Sequence, residues 1–349
     1  MKNKKPHIVF LTPGFAASEK DSITIPALQV YLKNLQTTLP DAKFTLIAFQ
    51  FPFSKKTYSW NGMKVIPLNG RNKHIKKLWT WNKVLRILKK HHRKQPITAI
   101  HSFWIGECSM IGARFAKKHA LNHITTVMGQ EAHVANTYVE SLKNSETKIC
   151  TLSKNQHALL LEKHQINSTI IPWQLDTNSF PELQASSIDI LGVGSLNEVK
   201  NYNTFIAVIS VLVSTNPALK VAIIGEGNQR SLLEKQIQEL HLENHIKLLG
   251  TLPRKEVLAK MAHASVLLHT STYESFGFVF LEALYSGMQI VSFPVGIAEN
   301  SDYWQVCNSE TEMVQACEKG LNTTKENKER IAPACKTESV SSYLKYYNE

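Results

Sequence analysis

The stretch STYESFGFVFLEALYSG, residues 271–287, places one glutamate on each side of the start of an apolar helix. A strand pattern, SVLLHT, ends at residue 270, and an apolar helical period begins near Gly277. Glu274 comes before that period, whereas Glu282 lies about two helical turns further along. Two carboxylates held on either side of a helix start indicate a binding site, so the rest of the chain is interpreted outward from this stretch.

A helix start that follows a strand is suited to bind an anion. The sequence predicts Ser275 as the N-cap, in a register that can shift by a residue or two. The amides of Phe276, Gly277 and Phe278 would then lack helical partners, and Gly277 would leave room for a ligand near the backbone. Such donors favour a diphosphate, and flanking glutamates can accept hydrogen bonds from sugar hydroxyls. A nucleotide sugar has this layout, although an ordinary amphipathic helix with a capping acid is the simpler alternative.

Short apolar runs alternate with helical patterns along all 349 residues, of which 43% are hydrophobic. Nearly continuous apolar strands between helices predict an α/β protein with parallel sheets covered on both faces. Two such runs predict two Rossmann-like doubly wound domains, residues 1–178 and residues 186–336. A separate C-terminal helix, 337–349, could pack back on the first domain. Because ligands bind beyond the carboxyl ends of such strands, we expect the working site in a cleft between the domains.

The strands of this prediction follow from the β-rich apolar runs. They are residues 7–12, 43–49, 63–68, 97–103, 123–128, 148–153 and 168–172 in the first domain, and 188–194, 219–225, 245–250, 265–270 and 289–293 in the second.

The stretch 271–287 resembles the signature of retaining glycosyltransferases with the GT-B fold, glycosyltransferase family 4 (glycosyl transferases group 1). The shared pattern is S-x-x-E-S-F-G-x-x-x-L-E-A-L-x-S-G. The resemblance extends over most of the chain, through segments that occur in the family's order: IPWQLDTNSF (171–180), VGSLNEVKNYN (193–203), IIGEGNQRSLLE (223–234), LLGTLPRKEVLAKM (248–261) and FPVGIAEN (293–300).

The resemblance implies roles for the matching residues of the second domain. Glu274 would bind the donor sugar's hydroxyls and Lys200 would neutralise the diphosphate, which makes them the catalytic pair. Glu282 would bind the ribose hydroxyls. The backbone around Ser275, Phe276, Gly277 and Phe278 would hold sugar and phosphate, and Gly225 and Gly227 would give the nucleotide room.

In the first domain the resemblance implies that Gly14, in LTPGFAAS (11–18), lies near donor and acceptor. A predicted strand ends in His101, Ser102, Phe103 and Trp104, so we expect these residues to line the same cleft, although a lone histidine there is more often structural. Gln130 and Glu131 follow the next strand and are predicted to contact a sugar.

Two positions depart from the family's pattern. Ser195 stands where the family often has an arginine, which removes one phosphate charge that Arg230 or Arg254 could replace. Met128 stands where many relatives have a histidine, and a thioether cannot accept a proton or donate to a sugar hydroxyl. No catalytic histidine is therefore carried over to this chain.

Charge is distributed unevenly along the sequence. Residues 1–185 hold 26 Lys and Arg against 10 Asp and Glu, a formal +16, and residues 186–349 hold 14 against 18, a formal −4. The segment 71–94 contains ten Lys and Arg, two tryptophans and no acid, with apolar residues at helical spacing through Ile75, Leu78, Trp81 or Asn82, Leu85 and Leu88. This pattern predicts peripheral contact with an anionic membrane, unless the stripe simply covers a sheet.

Several classes of function are disfavoured. The dinucleotide fingerprint G-x-G-x-x-G does not follow any predicted strand, which argues against a redox enzyme. RNA-binding aromatic signatures and helix-turn-helix patterns are missing from the basic half, so no nucleic acid is expected. The sequence contains no Asp-x-Asp, so we expect neither metal nor other cofactor.

The sequence therefore predicts a metal-independent hexosyltransferase that uses a UDP-, GDP- or ADP-sugar and a carbohydrate or lipid-linked acceptor, as in the synthesis of cell-surface polysaccharide, lipopolysaccharide or glycolipid. A relative that binds nucleotide sugar without transfer is the alternative. Five scattered cysteines, no apolar run of about 18 residues and no signal-peptide pattern predict a cytoplasmic protein, in peripheral contact with the inner face of the membrane.

Overall fold

The computed structural model describes residues 5–73, 75, 77–132, 135–143, 145–326, 329–331 and 339–348. The chain divides into two compact units. The first consists of Met1–Gln174 together with Thr337–Glu349, and the second is Leu175–Lys336.

The first unit is built on an eight-stranded sheet. Its strands are β1 (His7–Gly14), β2 (Lys43–Phe51), β3 (Tyr58–Trp60), β4 (Met63–Pro67), β5 (Ala99–Phe103), β6 (Asn122–Thr126), β7 (Lys148–Thr151) and β8 (Thr169–Ile170). They lie in the order β3-β4-β2-β1-β5-β6-β7-β8, and the pairs are parallel except for the β3–β4 hairpin. β1 lies centrally, and its residues 7–12 are fully buried, as expected for a strand covered on both faces.

The second unit is built on a six-stranded parallel sheet. Its strands are β9 (Ile188–Val193), β10 (Val221–Ile224), β11 (Ile246–Leu248), β12 (Ala264–His269), β13 (Gln289–Ser292) and β14 (Trp304–Val306). They lie in the order β11-β10-β9-β12-β13-β14, which is the order of the Rossmann fold. The prediction of an α/β protein with two doubly wound sheets is confirmed.

Helices connect the strands and cover the sheets. They are α1 (Pro26–Thr38), α2 (Lys77–Lys94), α3 (Glu107–His119), α4 (Val139–Lys143), α5 (Lys154–His164), α6 (Tyr202–Thr215), α7 (Arg230–Glu239), α8 (Arg254–Ala262), α9 (Phe278–Tyr285), α10 (Glu310–Glu326) and α11 (Ser339–Asn348). In the second unit, two clusters of buried apolar side chains include residues of the strands and of the helices α6 to α10.

The C-terminal helix α11 packs into the first unit. Its Tyr347 hydroxyl lies 2.7 Å from the hydroxyl of Tyr31 on α1, and its Tyr343 hydroxyl lies 2.9 Å from the Oγ1 of Thr126 on β6. Both tyrosines of α11 are almost completely buried. Of the predicted helix 337–349, residues 337, 338 and 349 lie outside the described residues.

Within the described part of the chain, no helix combines the length and the apolar character needed to cross a membrane. Cys108, Cys150, Cys307 and Cys317 are buried free thiols, and Cys335 lies outside the described residues.

Candidate functional site

The second sheet reverses its strand order between β9 and β12, and the loops that follow these two strands are in contact. The Thr272 amide donates to the Val199 carbonyl at 2.9 Å, and the Thr270 hydroxyl lies 3.1 and 2.9 Å from the carbonyls of Lys200 and Asn201. The Lys200 amide, in turn, donates to the side chain of Asn197. The turn of Lys200 is thereby fixed against the loop of Glu274 at the switch point, where doubly wound sheets bind ligands.

Lys200 and Glu274 form an ion pair, although 74 residues separate them in the chain. The same carboxylate oxygen, Oε1 of Glu274, lies 2.9 Å from Nε2 of His269 and 3.4 Å from the hydroxyl of Ser271. The Lys200 and Glu274 side chains are 21% and 15% exposed, so the pair is partly shielded yet reachable. His269 is buried, and it was not predicted from the sequence as a site residue. Its position as the last residue of β12 was the signal that could have suggested it.

The ion pair and the histidine keep Glu274 ionised. Burial by itself would raise the pKa of Glu274, but the hydrogen bond from His269 and the charge of Lys200 outweigh burial and lower the pKa to about 2. Burial lowers the pKa of His269 below its ordinary value, although Glu274 opposes that shift. The resting site is therefore a carboxylate that already holds a cation.

Glu282 lies on the buried side of α9 and pairs with Arg254 at the start of α8. The two side chains are 9% and 16% exposed. Burial raises the pKa of Glu282, and the charge of Arg254 partly offsets that rise. Arg254 thus has a carboxylate partner already. Arg230, the other proposed substitute for the charge missing at Ser195, pairs with Glu226 and Glu234.

Helix α9 begins at Phe278, so its N-cap lies two residues later than predicted. Its N-cap is Gly277 rather than Ser275, and it provides no side-chain cap. Gly277 has a φ of 81°, in the left-handed region that favours glycine, and a Cβ there would lie 2.4 Å from the ring of Phe280. The first helical amide is consequently that of Phe278, whereas Phe276 is a buried loop residue whose carbonyl accepts from the Ile297 amide at 3.1 Å.

The space beside Gly225 and Gly227 is filled by the chain itself. A Cβ on Gly225 would lie 1.8 Å from the carbonyl oxygen of Gly194, and one on Gly227 would lie 2.1 Å from that of Leu196. These contacts lie on the Cβ side of the two glycines, and the prediction that the glycines give a nucleotide room stays a prediction. The two glycines permit close packing against the loop after β9, in which Ser195 is exposed.

In the first unit, the structure contradicts the prediction that His101 lines a ligand site. The His101 side chain is 0% exposed. Its Nδ1 lies 2.6 Å from the Tyr347 hydroxyl and its Nε2 lies 2.7 Å from Oγ1 of Thr126, so both ring nitrogens have protein partners. Burial lowers the pKa of His101 well below its ordinary value, which keeps the ring neutral. Gly14 ends β1 and is also buried.

Gln130 and Glu131 lie in a short 3-10 turn, Gln130–Ala132, beyond the carboxyl end of β6. Gln130 is exposed and Glu131 is half-buried. The Met128 amide donates to Oε1 of Glu131 at 2.6 Å. Burial raises the pKa of Glu131 to about 7, although backbone hydrogen bonds oppose the rise. Glu131 can therefore exist in either protonation state near neutral pH.

This shift predicts a pH-dependent stability. The pKa of Glu131 rises from 4.5 to about 7 on folding, so the folded state holds a proton that the unfolded state has lost. Stability is therefore lost as pH rises from about 4.5 to about 7. We expect Glu131→Gln to unfold like the wild type at pH 4.5 but to gain up to about 2–3 kcal/mol by pH 8, as measured by urea denaturation. The exposed Glu140→Gln is the control; an equal difference at both pH values for Glu131→Gln would contradict the prediction.

A pocket of about 210 Å³ lies at the switch point of the first sheet, where β1 and β5 are neighbours. Its walls include Trp104, Glu107, Gln50, Asn72 and Lys77. Trp104 has a φ of 67°, a left-handed conformation that is strained for a bulky residue and that concentrates at functional sites.

Glu107 is the acid of this pocket, and it was not predicted from the sequence. It lies 3.1 Å from Nζ of Lys77, and it accepts hydrogen bonds from Nε1 of Trp81 at 2.9 Å and from the Gln50 amide at 3.4 Å. The available signal was its isolation, because it is the first acid after Asp41. A carboxylate, an amide and an indole around one cavity are groups that can bind sugar hydroxyls.

The described residues contain no group of three or more His, Cys, Asp or Glu side chains arranged to hold a metal ion. In the second unit, Lys200 and the first amides of α9 are groups able to interact with a diphosphate.

Comparison with solved structures identifies the fold. Sucrose-phosphate synthase from Thermosynechococcus elongatus superposes with a TM-score of 0.75 at 15% identity, over 98% of this chain and 96% of that one. Anabaena Alr3699/HepE, in complex with UDP and glucose, superposes with a TM-score of 0.71 at 15% identity, over 96% and 94% of the two chains. The protein has the GT-B fold.

Sequence comparison finds similarity in the second unit. Residues 177–302 match the family of glycosyl transferases group 1. The chain is 31% identical over 103 residues to 2-deoxystreptamine N-acetyl-D-glucosaminyltransferase of Niallia circulans, and 32% identical over 131 residues to one subunit of the phosphatidylinositol N-acetylglucosaminyltransferase of Homo sapiens. These matches cover 30% and 37% of this chain and 26% and 27% of the relatives, so the chain spans about a quarter of their length.

Proposed function

We propose that the protein is a glycosyltransferase that moves a sugar from a nucleoside diphosphate sugar to an acceptor, with retention of anomeric configuration and without a metal ion. The single observation that supports it most is the Lys200–Glu274 pair at the switch point of the second sheet. It combines a cation suited to a diphosphate with a carboxylate suited to sugar hydroxyls, on elements of the matching family.

Donor binding exchanges the partner of Lys200. The ammonium group leaves Glu274 for the diphosphate, whose two negative charges compete well for it, and the amides at the start of α9 add further donors. Glu274 then accepts hydrogen bonds from the donor sugar while His269 still holds its orientation. As the sugar–phosphate bond breaks, negative charge grows on the leaving phosphate, and Lys200 stabilises it. In the second unit, Glu282, oriented by Arg254, is assigned to the ribose hydroxyls.

Retention follows if the acceptor attacks from the face that the phosphate leaves. The departing phosphate can then take the acceptor's proton, and no side chain need form a covalent intermediate. In this mechanism Glu274 acts by positioning and electrostatics rather than as a nucleophile.

We assign the acceptor to the pocket of the first unit. Glu107 would accept hydrogen bonds from the acceptor's hydroxyls, and the Gln50 amide would donate to them or accept from them. Trp104 would contact a sugar face. Gln130 and Glu131 are assigned to the same sugar chemistry. The acceptor class is a carbohydrate of a cell-surface polysaccharide, a lipopolysaccharide or a glycolipid, which is reached from the cytoplasm by peripheral contact with the membrane.

A nucleotide-sugar-binding protein without transfer activity is the second candidate. Ser195 and Met128 favour it, because these positions lack the arginine and the histidine that the family pattern would supply. The two candidates agree on binding and differ only in turnover.

Binding is tested first with UDP, GDP, ADP and their sugars in a thermal-shift panel. One nucleotide at about a hundredfold excess over its Kd should raise Tm by roughly 5–10 °C. Failure of all the nucleotides to bind would contradict both candidates.

Turnover is tested with the nucleotide sugar that binds. Release of the nucleoside diphosphate, by transfer or hydrolysis, and its loss in Glu274→Gln, would support the enzyme. Binding without any release would favour the second candidate. The anomeric configuration of the product, read by proton NMR, tests retention, and unchanged turnover with a chelator tests metal independence.

A further inference from the structure

Helix α2 has an apolar surface that the protein does not cover. Its buried residues are Thr80, Val84 and Leu88, and Trp81 and Leu85 pack beside them on the core. The predicted stripe also ran through Ile75 and Leu78, but these two side chains are 93% and 66% exposed. The apolar positions therefore separate into a core face and an outward end, so the stripe does not simply cover the sheet, and the membrane contact stays a prediction.

The outward end contains a third apolar side chain. Trp79, next to Leu78 in the first turn of α2, is 82% exposed. We call Ile75, Leu78 and Trp79 the apolar tip. Single exposed apolar residues are ordinary, but an exposed tryptophan, leucine and isoleucine lie within five residues here, and such a concentration marks an interaction surface.

Positive charge continues along the same exposed face. At 100° per residue, Leu78 and Trp79 share one arc of about 160° with a set of later positions on α2. That arc carries exposed basic residues, namely Lys83, Arg86, Lys89, Lys90, Arg93 and Lys94. Arg71 and Lys73 are exposed before the helix, and the Arg71 guanidinium lies 5.0 Å from the ring centre of Phe53, itself 60% exposed.

The basic arc has no acidic residue near it in the sequence that could offset its charge. The chain from residue 42 to residue 106 contains no Asp or Glu. Glu107 does contact α2, but through Lys77 and Trp81, which lie away from the exposed arc.

We propose that the apolar tip and the basic arc of α2 form a docking surface for an anionic lipid bilayer. The tip inserts among the acyl chains near the headgroups, and the basic arc lies along the anionic headgroups. A bilayer fits better than nucleic acid, because exposed aliphatic side chains gain nothing from phosphates or bases. The apolar tip buries apolar area in the bilayer, which the charges of the basic arc alone would not do. Binding therefore needs both the tip and the arc.

The position of this docking surface also limits the class of acceptor. Lys77, in the same first turn as the tip, lines the pocket that contains Glu107, and so does Asn72, just before the helix. Docking would bring this pocket to the level of the headgroups. The acceptor is then a sugar carried on a lipid, a conclusion that rests on the proposed transferase function, whereas the docking surface does not.

The full chain is tested by flotation with vesicles of phosphatidylcholine alone and with vesicles containing roughly one third phosphatidylglycerol. We expect at least about tenfold stronger binding to the anionic vesicles, weakened by high salt. Leu78→Ser/Trp79→Ser and Lys83→Glu/Arg86→Glu/Lys90→Glu should each lower that binding by roughly tenfold or more. Because all five residues are exposed, the fold should persist, which circular dichroism checks.

The matched control is Leu232→Ser/Val211→Ser, which removes two exposed apolar side chains from the second unit and should bind as the wild type does. Equal binding to neutral and anionic vesicles at low salt, or full binding by the tip variant, would overturn the proposal. So would retention of RNA at physiological salt more tightly than vesicles. Nucleotide binding is measured on the same samples. If the wild-type protein binds no nucleotide, the donor site is contradicted. If it binds nucleotide but not vesicles, only the docking surface is contradicted.

Discussion

Replacing Lys200 by methionine is expected to lower the rate of sugar transfer by about 10²–10³-fold, the usual cost of removing one preorganised charge from a leaving group. Methionine keeps most of the side-chain volume but carries no cation, so the leaving diphosphate loses its main partner. The rate of nucleoside diphosphate release is measured at saturating donor. Lys255→Met, which removes an exposed lysine from α8 of the same unit, is the control and should leave the rate unchanged.

A structural role for the ion pair would give a different pattern. Lys200 also neutralises Glu274, so its removal leaves a carboxylate with His269 and Ser271 as its remaining named partners. If neutralising that carboxylate were its whole task, Lys200→Met/Glu274→Gln would be no slower than Glu274→Gln alone. Because we assign Lys200 to the diphosphate, we expect the double variant to be slower than either single variant, and a double variant no slower than Glu274→Gln would contradict the assignment.

The fold could be predicted from the sequence because the pattern that encodes it is repeated along the chain. Strands buried on both faces require long apolar runs, and the parallel connections between them require helices, so each β–α unit restates the same architecture. The two strands that were not predicted, β3 and β14, have three residues each. β3 is an antiparallel edge strand and β14 ends its sheet, and such short pieces bury too little to impose a pattern.

The site was accessible only in part, because a sequence shows neither burial nor the direction of a side chain. Lys200 and Glu274 were selected by motif, and the strand order then brings them into contact. His101 also lies on the right kind of strand, but α11 covers it with Tyr347, a contact across 246 residues that no local pattern encodes. Glu107 was missed for the converse reason: its partners on β2 and α2 become neighbours only through the sheet.

Replacing Arg254 by methionine is expected to lower the free energy of unfolding by about 3–5 kcal/mol at pH 8, the range found when one member of a buried ion pair is removed. Glu282 would then be buried without its cation on the inner side of α9. The loss should depend on pH. Burial raises the pKa of Glu282 already in the wild type, and removing Arg254 takes away the charge that opposes this rise.

The sign follows from proton linkage. In Arg254→Met the folded state binds a proton on Glu282 at pH values where the unfolded state has lost it, so stability falls as pH rises above the unfolded pKa of 4.5. Urea denaturation should therefore show a small loss near pH 4.5 and the full loss at pH 8. Arg254→Met/Glu282→Gln removes the charge, so it should regain much of the stability and lose the pH dependence. A loss of equal size at both pH values, or a double variant no more stable than the single one, would mean that Arg254 stabilises α8 and α9 by packing instead of by neutralising Glu282.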